Sequence, residues 1–214
     1  MLSRFVFAFA LALAMSCPPA HAEGEQSLRL HWNKSSETDF VTVVIGDYEP
    51  SQESNYLLGA AYGYQFSDTM FSWPLQVSAN VGLQYFAERG YQDDGYGTTA
   101  YVKASYDWRL PWTRKYMRLG LGEGLSYVTR IPVSEARDFA KKGVESEKLM
   151  NYLEWTMDVG LRQFKPFEAM FAADGGIEDV TLGFIVWHRS SVFGLFADEG
   201  GGVNFMGFSV EARF

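Results

Sequence analysis

Along most of the chain, apolar and polar residues alternate singly rather than in helical turns. Leu153, Trp155, Met157, Val159 and Leu161 are apolar, while the intervening Tyr152, Glu154, Thr156, Asp158, Gly160 and Arg162 are mostly polar or small. A period of two puts successive side chains on opposite faces, so the segment reads as a strand with one apolar face. The same pattern predicts eight strands, at 38–47, 55–66, 73–88, 98–109, 117–130, 150–163, 179–189 and 203–214. In the third, Leu75, Val77, Ala79, Val81, Leu83 and Tyr85 alternate with Gln76, Ser78, Asn80, Gly82, Gln84 and Phe86. In the fourth, Ala100, Val102, Ala104, Tyr106 and Trp108 alternate with a face holding Lys103, Asp107 and Arg109. Those charges need an aqueous or internally paired surrounding.

Length and strand ends separate a membrane barrel from a soluble sandwich. Strands of globular proteins are usually about five or six residues long, whereas a tilted strand crossing a bilayer needs about ten. Open sheet edges cannot sit in lipid, so the sheet must close, and eight strands suit an antiparallel transmembrane β-barrel. Aromatic residues mark two girdles: Trp73, Trp108, Trp112 and Tyr116 at one end, Tyr85, Tyr127 and Tyr152 at the other. The last strand ends on Phe214 with Ala212, Val210 and Phe208 on the same face. This resembles the C-terminal signature by which bacterial outer-membrane barrels are recognised by the barrel assembly machinery.

With both ends periplasmic, the external loops are 48–54, 90–97, 131–149 and 190–202, and the inner turns are 67–72, 110–116 and 164–178. A short helix over 166–173 is expected at the membrane surface. An eight-stranded bore is filled by side chains, so activity belongs at the external rim and a pore is not expected.

The N-terminus is set apart from this fold. Arg4 precedes an apolar run from Phe5 to Met15, and Ala20-His21-Ala22 offers the small-x-small pattern of signal cleavage. The division is therefore a signal peptide at 1–22 and a barrel domain at 23–214. A lipoprotein cut before Cys17 is disfavoured because Ala14 stands where a larger aliphatic residue is usual.

Composition then closes off several classes. With 16% aromatic residues the chain is not disordered, and one Cys rules out a disulfide scaffold. A net charge of -8 excludes a nucleic-acid partner, which needs a basic footprint. The slightly negative mean hydropathy, -0.13, is an average over one apolar and one polar face.

No G-x-S-x-G elbow, H-E-x-x-H helix or Walker loop is present, and only His31 and His188 follow the signal segment. No cofactor or metal is therefore expected. The acidic pairs Asp93-Asp94 and Asp198-Glu199 read as solvated loop residues. His188 closes the seventh strand, and parity places Leu182, Phe184, Val186, His188 and Ser190 on the apolar, lipid-facing side. In the eighth strand Asn204 shares its face with Met206, Phe208, Val210 and Phe214. A Ser beside a His with a third polar group is the minimum for an activated nucleophile, because His accepts the hydroxyl proton and the third group fixes its tautomer.

The run His188-Arg189-Ser190-Ser191, followed by Gly201-Gly202-Val203-Asn204, resembles the site of the lipid A 3-O-deacylases, outer-membrane barrels whose active site opens sideways to the outer leaflet. That family carries His-x-Ser-Asn at the end of strand seven and a Glu at the start of strand eight. The resemblance implies Ser190 as nucleophile on an ester carbonyl of lipid A and His188 as general base, with Asn204 in the place of the family's Glu. Ser191 stands in the place of the Asn that helps the oxyanion site. The implied partners are lipid A, lipopolysaccharide and outer-membrane lipids, and a homodimer is admitted. Arg130, Arg137, Lys141, Lys142 and Arg189 lie near the external rim, where they pair with lipid A phosphates or serve loop solubility. The Gly200-Gly201-Gly202 run reads as a flexible hairpin connection. Glu123 falls on the apolar face, and a bulge near Gly122 or Gly124 is expected to turn it inward. The alternative function is a non-enzymatic barrel that binds lipopolysaccharide or supports the envelope.

Overall fold

The computed structural model describes residues 24–113, 115–171, 176–191 and 201–214. The predicted signal segment, Asp198, Glu199 and Gly200 lie outside the described residues. Eight antiparallel strands close into a barrel in which each pairs with its sequence neighbour and the first pairs with the last. They are β1 (Gln26–Ser36), β2 (Tyr56–Ser67), β3 (Gln76–Ala87), β4 (Gly95–Arg109), β5 (Tyr116–Val128), β6 (Leu149–Gly160), β7 (Asp179–Ser190) and β8 (Gly202–Arg213). Lengths of 11 to 15 residues suffice for a tilted membrane crossing.

Seven strands fall where alternation puts them, and the first does not. The expected strand at 38–47 is instead an external loop carrying helix α1 (Phe40–Val44), and β1 lies N-terminal to it. Within β1, Leu28, Leu30 and Trp32 face outward and Arg29, His31 and Asn33 face the bore. The β-branched residues of 41–45 imitate a strand locally. Their helix is set by contacts remote in sequence, including full burial of Val43 and packing of α1 on β7. The first external loop therefore spans 37–55, not 48–54.

The bore is polar below and apolar above. Arg29 donates to both carboxylate oxygens of Asp158 at 2.9 Å and pairs with Glu211. Lys103 meets Glu154 at 2.8 Å, and the other Glu154 oxygen accepts the hydroxyls of Tyr152 at 2.7 Å and Tyr101 at 3.2 Å. On the fourth strand's inner face Asp107 is held by Arg118 at 2.8 Å, so Lys103 and Asp107 are both paired, and Arg109 at the strand end is exposed. Toward the external mouth, Leu57, Phe86, Val128, Trp187, Val203 and Phe205 pack into one cluster with the two tyrosine rings. The bore is thus filled by side chains rather than open.

Two details depart from the expectations, and both keep to the alternation. Tyr152 is 1% exposed and belongs to the bore, not to a girdle, because it shares the parity of Glu154. The external girdle is made by Trp32, Tyr56, Tyr85, Tyr96 and Tyr127, with Trp32 stacked on Tyr56 and Tyr85 beside Tyr96. Glu123 stays exposed on the outer face, since the register through β5 is unbroken from Tyr116 to Val128. Gly122 faces the bore, where a Cβ would stand 2.9 Å from Tyr101, so no bulge rotates the strand there.

At the opposite end the connection from β6 to β7 carries the 3₁₀ turn Leu161–Gln163, where a strand end is expected, and helix α2 (Lys165–Phe171), which overlaps the helix expected over 166–173. At the external end the loop 129–148 carries helix α3 (Val133–Lys141), whose Phe139 is fully buried.

Candidate functional site

The pairing of β7 with β8 sets His188 directly opposite Asn204, and Ser190 opposite Gly202. On the other side of β7, Asn151 of β6 is the partner of Ser190 and Leu153 is the partner of His188. All six share the outward parity, so the three predicted site residues lie on the exterior of the barrel at its external rim. His188 therefore does not point into the bore.

His188 and Asn204 are joined by a 2.7 Å hydrogen bond between Nδ1 and Oδ1. Its direction follows from a second bond, in which Asn204 Nδ2 donates to the Thr38 carbonyl at 2.6 Å. A carbonyl has no proton to give, so the amide nitrogen must face Thr38 and the amide oxygen must face the imidazole. The Asn204 oxygen is likewise only an acceptor, so His188 Nδ1 carries the proton. In the neutral ring Nε2 is then left with a lone pair, the state a general base requires.

Ser190 shares the face but not the bond: its hydroxyl and the imidazole are not hydrogen-bonded to each other. Residues two apart on a strand face are about 6.7 Å apart along the chain. Space beside them is kept by Gly202, where a Cβ would lie 3.0 Å from His188 Cε1, 3.4 Å from Ser190 Cβ and 2.7 Å from the Arg189 carbonyl oxygen. Asn151 is 7% exposed, and its carboxamide makes no hydrogen bond among the described residues. Ser191 is buried at the strand end, with its backbone N–H bonded to the Gly201 carbonyl at 3.2 Å.

The first external loop covers this surface. The Phe40 ring lies 5.0 Å from the imidazole, tilted at 41°. With α1 packed on β7, outward-facing Val186 is fully buried, whereas Leu182 on the same face is exposed.

The basic residues expected near the rim are taken up by protein acceptors. Arg137 pairs with Glu37 at 2.8 Å and Glu53 at 2.7 Å, and Lys141 reaches Glu37 at 3.5 Å. Arg130 meets Asp93 at 3.1 Å and Lys142 meets Asp138 at 2.9 Å. Arg189 faces inward, fully buried, and donates to the carbonyls of Glu147 at 2.8 Å and Lys148 at 3.2 Å beside Glu135 at 3.6 Å. The pairs of Arg137 and Lys141 tie α3 to the first loop, and that of Arg189 with Glu135 ties it to β7. The Arg137 guanidinium holds the Glu37 carboxyl below its usual range, and burial pushes the Glu135 carboxyl up against the opposing pull of Arg189 and Ser146.

Sequence reasoning missed Thr38, Phe40 and Asn151. No local signal marks the first two, since their roles depend on a loop misread as a strand. Asn151 was legible: carrying the alternation of Leu153 and Trp155 one step toward the loop places it on the lipid-facing side at the rim.

No protein-family model matches the chain, and no curated protein matches it. Among solved structures it is similar to Neisserial surface protein A at 11% identity, covering 89% of this chain and 96% of that one with a TM-score of 0.44. It is also similar to Ail, the attachment invasion locus protein of Yersinia pestis, solved with the heparin analogue sucrose octasulfate, at 14% identity, 90% and 100% coverage and a TM-score of 0.38. A third is the outer membrane protein OprG from Pseudomonas aeruginosa, at 15% identity, 91% and 99% coverage and a TM-score of 0.36.

Proposed function

We propose that this chain is an outer-membrane esterase that hydrolyses an ester-linked acyl chain of lipid A at the outer-leaflet rim of the barrel. The observation that carries the reading is the relay from the Thr38 carbonyl through Asn204 to His188 Nδ1, which leaves Nε2 unprotonated on the outward face that also bears Ser190. Polar and ionisable residues on a surface otherwise built for acyl chains are costly to place, and they mark functional sites for that reason.

Ser190 Oγ attacks the ester carbonyl as His188 Nε2 takes its proton. His188 then returns that proton to the leaving alkoxide, and water cleaves the acyl-enzyme by the same path in reverse. Asn204 orients the imidazole by hydrogen bonding, as an Asn can, without adding the charge a carboxylate would place beside the imidazolium. Lipopolysaccharide is the partner this reading requires.

A second reading, a barrel that binds lipopolysaccharide without cleaving it, is favoured by Phe40 over the imidazole and by the missing bond between Ser190 and His188. Mass spectra of lipid A from cells with and without the protein separate the two. The esterase reading predicts the loss of one hydroxyacyl mass when the protein is present. An unchanged lipid A at every expression level contradicts it.

A further inference from the structure

The geometry points to Asn151 as the donor that stabilises the oxyanion formed when Ser190 attacks an acyl ester. The inference rests on the esterase reading and adds to it a residue from a different strand. In the resembled family the residue after the nucleophile is Asn, and here that position is Ser191. The register of β6 against β7 supplies a carboxamide from another direction, because Asn151 is the direct partner of Ser190.

Directly opposed residues on one face of an antiparallel pair have Cβ atoms about 4.5–5.5 Å apart. A carbonyl carbon bonded to Ser190 Oγ would therefore hold its oxygen within reach of the Asn151 amide. Both side chains lie on the outward face, and Gly202 on the far side of Ser190 contributes no side chain that would displace the ester. Asn151 is nearly buried, yet its carboxamide has no hydrogen-bond partner among the described residues, so its donor is uncommitted. On the same row of the sheet, its other neighbour is Leu125, which offers no polar group to compete.

In the step itself, a bond forms between Ser190 Oγ and the carbonyl carbon. The serine proton passes to His188 Nε2, and the carbonyl π pair moves to the oxygen. Asn151 Nδ2–H donates to that oxygen, strengthening as the negative charge develops. Collapse restores the carbonyl and expels the alkoxide, which takes the proton from His188. A donor aimed at developing charge acts mainly on kcat, and removing one such donor lowers it by roughly 10²–10³-fold.

The test uses the full folded chain in phosphatidylethanolamine vesicles carrying purified lipopolysaccharide, at pH 8, with released fatty acid quantified by mass spectrometry. Asn151→Ala is expected to lower kcat by about 10²–10³-fold with KM within about twofold. Asn151→Asp, nearly isosteric, is expected to fall below the Ala variant because its carboxylate repels the oxyanion. A packing role predicts the opposite order, so Asp above Ala overturns the proposal; where the Ala variant fails to fold, wild-type kcat in folded Asn151→Asp overturns it. Wild-type turnover in Asn151→Ala, with Ser190→Ala inactive, overturns the donor and leaves the esterase reading intact. Equal release by wild type and Ser190→Ala overturns both.

Discussion

Replacing Asn204 separates two tasks that one side chain performs. In Asn204→Ala, His188 Nδ1 loses its acceptor at 2.7 Å and the Thr38 carbonyl loses its donor at 2.6 Å. During turnover the first bond is made by a charged imidazolium, and a hydrogen bond to a charged group contributes about 1.5–3 kcal/mol. At 1.36 kcal/mol per tenfold, its loss lowers kcat by roughly 10- to 160-fold. Asn204→Asp keeps an acceptor for His188 and adds a full charge beside the imidazolium, but it cannot donate to Thr38. Its expected outcome is turnover at or above wild type, together with a looser first loop. Acyl release from reconstituted barrels measures the first effect, and amide hydrogen exchange across 37–47 measures the second. Wild-type kcat in Asn204→Ala would refute the claim that this bond sets the tautomer of a working base.

The loop contacts give two further predictions. Arg189→Ala leaves Glu135 buried without its cation and frees the carbonyls of Glu147 and Lys148. Breaking a buried charge pair costs about 3–5 kcal/mol, so α3 should lose hydrogen-exchange protection while the slow exchange of β2 to β5 persists. Glu37, held below its usual range by Arg137, favours the docked first loop when ionised. That contribution is fully present above the ordinary Glu value of about 4.3 and is lost as pH falls through the depressed folded value. Limited proteolysis within 37–55 should therefore accelerate only on strong acidification and not between pH 8 and 6; acceleration already at pH 6 would contradict the assignment.

How far the sequence reached is clearest where it failed. Period-two alternation located β2 to β8 because each carries its own inward and outward face, and closure followed from the need to hide sheet edges in lipid. The first strand was misplaced because 41–45 is β-branched, whereas its helix depends on β7 and on a bond from Thr38 to a residue in β8. The rim cations could not be assigned by composition, since whether Arg137 meets a phosphate or Glu37 and Glu53 is decided by loop folding. The site was legible as far as parity could take it. His188, Ser190 and Asn204 share a face, but the relay's direction needed Thr38, and Asn151 needed the register between β6 and β7.

The central claim is that Ser190 is a nucleophile activated by His188 on the outer surface of the barrel. Treating the folded barrel with a long-chain fluorophosphonate and mapping the adduct by peptide mass spectrometry tests it most directly. The account predicts one adduct on Ser190, absent in Ser190→Ala and in His188→Ala. An unmodified Ser190 in the folded wild-type barrel, or an equal adduct in His188→Ala, would contradict it.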